Sequence, residues 1–390
     1  MHFKEYMTST GIAAFFMFAR FIYYPILAPY IKNAGLNDFQ TGLVLSVFAF
    51  VIFLSAPIIG HLSDKIGRKA VMMFGLIASI ASLVLYIIDN HWVTFLIARG
   101  LMAIGFVAVV IVGIARLEDH IDNKNRGLYS GFGLTLIDAA RILAPPIGGL
   151  IADYYFVKLP FLIAIVLIVF QFMYLLFSKK RHADVHLKKS DFDLIGPLKK
   201  FIMNKNLRGI AILGIAAHAT MPIYAMFIPI LIKNDWGLPY RYVGYAMFAY
   251  MIAHLMQFLL GKFADKIGSA KAVTMGAGLF GLTLLLLPLA DNYTVLVIMM
   301  VVWGIWGSLW NVSAWAYMSY IGERQKNEGE VTCSYMSWAK TGSFISFAIS
   351  GLFVMHFGLS AFMILTGSLV VLATLAAYPL LTAKPYKTKA

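Results

Sequence analysis

Charge is scarce in this chain: 13% of its 390 residues are Asp, Glu, Lys or Arg, and the 18 acids are outnumbered by 32 bases. A soluble domain needs more polar surface than that, because apolar atoms already supply a little over half of an ordinary folded surface. Cysteine is all but missing. Cys333 stands alone, which excludes an intramolecular disulfide and any cysteine-based metal site. There is no H-E-x-x-H pair, no phosphate-cradling glycine loop and no nucleophile elbow, so the sequence offers no catalytic constellation, no metal site and no cofactor site. Nor is there a short re-entrant filter of the kind a channel would carry.

What the chain has instead is apolar length. Hydrophobic residues make up 61% of it, in blocks such as 42–59, 157–177 and 352–381, and the mean hydropathy is +0.80. Blocks of about 18 or more residues cross a hydrocarbon core of roughly 30 Å as helices. Spans are expected at about 9–31, 41–60, 70–88, 93–115, 128–152, 157–178, 208–232, 242–262, 272–290, 293–319, 332–354 and 358–382. The first block is longer than a leader's apolar region and lacks a small-residue cleavage site, so it reads as a span. The formal charge of +14 is a topology signal. With the N-terminus inside, 24 of the 32 Lys and Arg fall in cytoplasmic segments, and the opposite loops hold four: Lys32, Lys158, Lys233 and Arg241. This asymmetry predicts that both termini are cytoplasmic and in contact with anionic lipid headgroups, and it argues against a nucleic-acid partner.

The sequence repeats itself at an offset of about 201 residues. Ile22-Tyr23 returns as Ile223-Tyr224, Ile31-Lys32-Asn33 as Ile232-Lys233-Asn234, Gly35-Leu36 as Gly237-Leu238, and Asp64-Lys65-Ile66-Gly67 as Asp265-Lys266-Ile267-Gly268. Six spans separate the copies, so the expected fold is all-α, with twelve spans in two pseudo-symmetric six-helix bundles of the same orientation. The expected division is 1–178, a linker at 179–207 and 208–390. Within the linker, the stripe Phe192, Leu194, Ile195, Leu198, Phe201, Ile202 among nine bases at 179–208 predicts an amphipathic helix over 191–204 that lies on the cytoplasmic interface.

Ionisable groups inside spans are few: Arg20, Arg99, Asp138, Arg141, His218, His254 and Lys340. A charge at the bilayer centre costs about 2.5–3.5 kcal/mol on insertion scales, so these groups must face a bundle interior or a wet cavity. Spans three, six, nine and twelve lack them and read as peripheral. Asp138 is the one acid deep in a span. Two readings stay open for it: a proton carrier tuned by desolvation, or a standing salt bridge to Arg141 one turn away. The four interior cations suggest a cargo with an anionic group, bound near the midplane by Arg20, Arg141, His218, His254 and Lys340, with Arg99 nearer the outer end. Span ten carries Trp303, Trp306 and Trp310 at helical spacing, then Asn311 and Trp315. Trp306 and Trp310 read as an aromatic cavity wall, or as packing and interfacial anchors. Tyr23, Tyr24, Tyr224 and Asn311 are further candidate contacts.

GHLSDKIGRK at 60–69 fits the pattern G-x-x-x-D-[RK]-x-G-[RK]-[RK], through Gly60, Asp64, Lys65, Gly67, Arg68 and Lys69, with a degenerate copy in GKFADKIGSAK at 261–271. By this motif A the chain resembles the major facilitator superfamily along its whole length. The resemblance implies a latch between the two halves, with Asp119 or Glu118 as the partner of Arg68. Arg99-x-x-x-Ala103-x-Gly105 resembles the family's motif B, whose arginine is linked to proton coupling, although Met102 and Ala103 replace the usual Gln and Gly. Ala144-Pro145-Pro146-Ile147-Gly148-Gly149 resembles motif C of the drug:proton antiporters, with Ala144 for the first glycine.

The expected function is secondary active transport by alternating access in a multi-pass prokaryotic cell (inner or plasma) membrane protein, not an enzyme, working as a monomer. The favoured mode is proton-coupled export of a small amphipathic compound or drug, anionic or zwitterionic. Import of an anionic metabolite by symport, and transport of a lipid-like molecule, stay open.

Overall fold

The computed structural model describes residues 3–118, 126–178, 195–325 and 328–382, and no strand occurs among them. Hydrocarbon offers no partner to backbone N–H and C=O groups, so a spanning chain satisfies them within its own helix. Among the described residues ten helices are long and apolar enough to cross a bilayer, and the bent pair Tyr240–Met256 and Leu259–Ile267, taken as one span, brings the number to eleven. The longest, Ser334–Thr382, has 49 residues, about 74 Å at 1.5 Å per residue. It is broken at Gly358, whose φ of 81° and ψ of 163° are not helical, and so supplies two spans. Counted in this way, the described residues supply twelve spans, in the expected order.

The repeat in sequence is a repeat in conformation. Gly67 (φ 93°) ends span two and begins span three, and its copy Gly268 (φ 89°) does the same between spans eight and nine. A side chain at these φ values is strained, which is why both copies keep glycine. Next to the first turn, Lys69 Nζ donates to the carbonyls of Leu176 (3.4 Å) and Ser178 (2.5 Å), closing the end of span six.

The chain packs as two compact units, Met1–Asp191 with Ala225–Phe248, and Phe192–Tyr224 with Ala249–Ala390. This differs from a plain division at the linker in that Ala225–Phe248, from spans seven and eight, goes with the first unit. Of the linker, 179–194 lies outside the described residues. Its last part is a helix, Ile195–Met203, with Phe201 buried and the Leu198 carbonyl accepting from Trp338 Nε1 at 3.3 Å. That helix is docked on span eleven.

Inside each unit, helices meet backbone to backbone at glycines. A Cβ on Gly148 would lie 1.5 Å from the Ile22 carbonyl oxygen, one on Gly304 2.1 Å from that of Tyr250, and one on Gly342 2.1 Å from that of Ile215. Lipid tails are as apolar as leucine, so association in the membrane depends on close contacts of this kind. Gly148→Ala is therefore expected to destabilise the protein by about 1–3 kcal/mol or more, read as a lower unfolding midpoint in detergent. Gly11→Ala, with nothing within 4 Å of the added carbon, should leave the midpoint close to wild type.

Candidate functional site

Three of the ionisable residues sit where a span is broken. Span one is divided at Ile22-Tyr23, between helices Phe3–Phe21 and Tyr24–Asn33, and Pro25 starts the second piece. Arg20 lies in the last turn of the first piece, where a cation meets the partial negative charge of free carbonyls. In span seven, Lys205–His218 ends before a turn at Ala219–Thr220 and a π-helical stretch at Ile223–Phe227. Span eight bends by 56° just after a 3₁₀ segment, Ala253–Met256, which carries His254. Irregular backbone at membrane depth is tolerated only inside protein or against a wet space.

In the first unit, spans one, two, four and five build a cluster of arginines and aromatic rings. The Arg20 guanidinium lies 4.3 Å from the ring centre of Phe48, 5.0 Å from Phe21, 5.1 Å from Phe106 and 5.6 Å from Tyr24. Arg99 packs on the same Phe48 ring, at 4.7 Å. Arg20 is 6% exposed and Arg99 2%. Burying an ion costs several kcal/mol. Each ring face returns about 0.5–2 kcal/mol, and the helix end about 0.3–1 kcal/mol. Beside them, Arg141 Nη2 pairs with Asp138 Oδ1 at 3.1 Å, the two side chains 25% and 37% exposed. Arg20 feels the charges of both Arg99 and Arg141. Tyr23 is fully buried and stacks on Phe161 at 4.8 Å.

The second unit gathers the other candidates around histidines and rings. His218 Nδ1 donates to the Gly214 carbonyl at 3.0 Å, and its ring meets Trp310 edge-on at 6.1 Å. The carbonyls freed by the break accept from span eleven: Ser343 Oγ donates to that of His218 (3.2 Å) and Ser346 Oγ to that of Ala219 (2.5 Å). Lys340, on the same helix, places its charge near His218. Tyr250 joins Tyr224 and Trp303, each with ring centres at 4.7 Å, and approaches His254 at 6.1 Å. His254 Nδ1 and Ser308 Oγ lie 3.3 Å apart. The tryptophan series divides. Trp310 faces His218, whereas Trp306 packs against the cluster of Ala264, Ala272 and Leu309, and Trp315 meets Tyr335. Asn311 is half-buried.

Motif A occupies the end of span two, with Lys65 exposed and Gly60 open to an added carbon. Arg68 starts span three. Its expected partner Asp119, and the side chains of Asp64 and Glu118, lie outside the described residues. Pro145, Pro146, Gly148 and Gly149 form a seam. Gly148 faces Ile22, Gly149 would bring a Cβ to 2.6 Å from the Tyr240 carbonyl oxygen, and Gly244 would bring one to 2.5 Å from that of Pro145. One turn beyond is a residue that sequence reading missed. Asp153 accepts from the backbone N–H groups of Tyr240 and Arg241, both at 2.8 Å, and so caps the start of span eight. Its signal was an acid one helical turn after the glycine pair, at the end of span five.

The family model for the Major Facilitator Superfamily matches residues 10–221 and again 210–390. The chain belongs to the major facilitator superfamily. It is a multi-span membrane transporter of small molecules, not an enzyme, and is consistent with a place in the plasma membrane. Among similar major facilitator proteins is the quinolone resistance protein NorA of Staphylococcus aureus (strain MRSA252), 25% identical over 343 residues and 85% of each chain. The synaptic vesicular amine transporter of Rattus norvegicus is 26% identical over 267 residues, 66% of this chain and 49% of the relative. In fold, the nucleoside transporter NupG superposes with a TM-score of 0.81 at 14% identity, over 96% of this chain and 99% of that one. A POT family transporter in complex with 5-aminolevulinic acid gives 0.78 at 13% identity, over 96% and 95%.

The Asp153 cap carries its own expectation. Asp153→Ala removes both acceptors and should destabilise the protein by about 0.5–2 kcal/mol. Asp153→Asn, which keeps one acceptor, should lose less, both read as unfolding midpoints.

Proposed function

We propose that this major facilitator protein exports a small amphipathic organic compound, a zwitterion in preference to a plain anion, in exchange for protons, by alternating access. The observation that carries this reading is the Asp138–Arg141 pair: the one acid deep in a span, partly exposed among cations. A partly exposed ion pair at membrane depth belongs against water rather than lipid, where a proton can reach the carboxylate. The names of two relatives, one of quinolone resistance and one of vesicular amine transport, support movement out of the cytoplasm. Motif C and its glycine seam support the same direction.

The sign of coupling follows from the charges. A protonated Asp138 no longer pairs with Arg141, so a purely anionic cargo would bind Arg141 better together with a proton, which is symport. A zwitterion is different. Its cationic end competes with the proton for Asp138 while its acidic end takes a guanidinium, and competition is what exchange requires. In this reading Arg99 serves the proton path and, through the Phe48 ring it shares with Arg20, also borders the cargo side, to which Arg20, Tyr23, Tyr24, Arg141, His218, Tyr224, His254, Trp306, Trp310, Asn311 and Lys340 belong. Gly60, Asp64, Lys65, Gly67, Arg68 and Asp119 form the motif A latch, and both termini face the cytoplasm.

The test is transport in proteoliposomes with an imposed pH gradient. Wild type should accumulate a zwitterionic aromatic probe against an opposing proton flow, and Asp138→Asn should lose that dependence while keeping downhill flux. Full gradient dependence in Asp138→Asn would remove Asp138 from the coupling. Accumulation together with protons would make the protein a symporter.

A further inference from the structure

We propose that Arg20 and Arg99, with the Phe48 ring between them, form a subsite for the acidic group of an aromatic acid: a carboxylate, sulfonate or phosphate monoester. The inference rests on the reading of the cargo as a compound with an anionic end and names where that end is held. Two guanidiniums pack on one ring, at 4.3 and 4.7 Å, and both are more than nine-tenths buried. Arg20 Nε, Arg99 Nε and Nη1, and the Tyr23 hydroxyl are all buried with no hydrogen-bond partner among the described residues. Every nitrogen in that group is a donor, and a guanidinium cannot accept. The cluster is therefore short of acceptors and of negative charge at once. Neutral water supplies only the first; an oxyanion supplies both, and its planar form suits the guanidinium fork.

The one acid deep in a span does not fill this role, because Asp138 is paired with Arg141. Exposure falls from Arg141 to Arg20 to Arg99, so the cations grade from an open position to a closed one. The rings define the rest of the ligand. Phe48, Phe106, Phe21 and Tyr24 surround Arg20, and an aromatic body attached to the acid can lie among them. Buried charges with donors left unsatisfied lower stability and persist where function needs them.

The experiment uses the full chain in nanodiscs, with four probes of one shape: 2-naphthoate, 2-naphthalenesulfonate, 2-naphthalenemethanol and 2-naphthylmethylammonium, plus chloride. Binding is measured by calorimetry and by thermal shift. The two acids should bind wild type and the neutral and cationic probes should not. Arg20→Met and Arg99→Met should each weaken acid binding at least tenfold. Arg20→Met should also raise the unfolding midpoint of the ligand-free protein, an outcome that a merely structural arginine would reverse. Acid binding unchanged in Arg20→Met, absent in wild type, or replaced entirely by chloride (an inorganic anion only) would each overturn the subsite. Proteoliposome flux keeps the two readings apart. Proton-gradient-driven flux of the cationic probe without any acid binding removes the subsite and leaves proton coupling. Acid binding lost in Arg20→Met, with no gradient-driven flux in wild type, does the reverse.

Discussion

Close approach of one helix backbone to another at glycine is the constraint on which the arrangement depends. The three tightest glycine contacts with another helix's backbone that are described above share a pattern. Gly148 lies against the carbonyl of Ile22, just before the break in span one; Gly342 against Ile215, one turn before the break in span seven; Gly304 against Tyr250, just before the 3₁₀ segment of span eight. Each broken helix is held by a glycine of a different span immediately beside its irregular residues. The first two join corresponding pairs of spans, five to one and eleven to seven, although at positions about two turns apart under the repeat. A broken helix in hydrocarbon leaves carbonyls without partners, and at His218 and Ala219 two serines of span eleven supply them. The glycine that allows the approach and the serines that exploit it lie within one turn and a half of each other.

On this shared scaffold the two units carry different chemistry. The first concentrates cations: Arg20, Arg99 and Arg141 against the single carboxylate of Asp138. The second concentrates hydrogen-bonding rings, with His218, His254, Tyr224, Tyr250, Trp303 and Trp310 in edge and tilted contacts. Duplication thus preserved the backbone solution and released the side chains. The glycines of the turns at 67 and 268 still match, whereas the polar residues at the breaks do not.

Much of the fold was legible because hydrophobic length and repeated turn glycines are local signals. The sequence of spans, the duplication and the turns of motif A follow from them. The 3₁₀ segment at Ala253–Met256 had no such signal, for no glycine or proline lies within it; tertiary contact with span ten decides it. The fate of Trp306 was hidden for a related reason. Helical spacing puts Trp303, Trp306 and Trp310 near one another along the helix but does not say which neighbour each one meets, and Trp306 meets the small residues of spans eight and nine. Asp153 was passed over because a carboxylate at a helix end reads as solvated until its backbone partners, nearly ninety residues away, are known.

One small contact bears on how such a molecule arises. Asn33 and Asn234 occupy the same position in the two copies, and their side chains hydrogen-bond to each other at 2.6 Å. A carboxamide is both donor and acceptor, so it can pair with its own likeness; neighbouring Lys32 and Lys233, equally matched in sequence, could only repel. A residue of that self-complementary kind serves two identical chains as well as it serves one fused chain. Joining two copies of an ancestral gene would have left this hydrogen bond nothing to relearn.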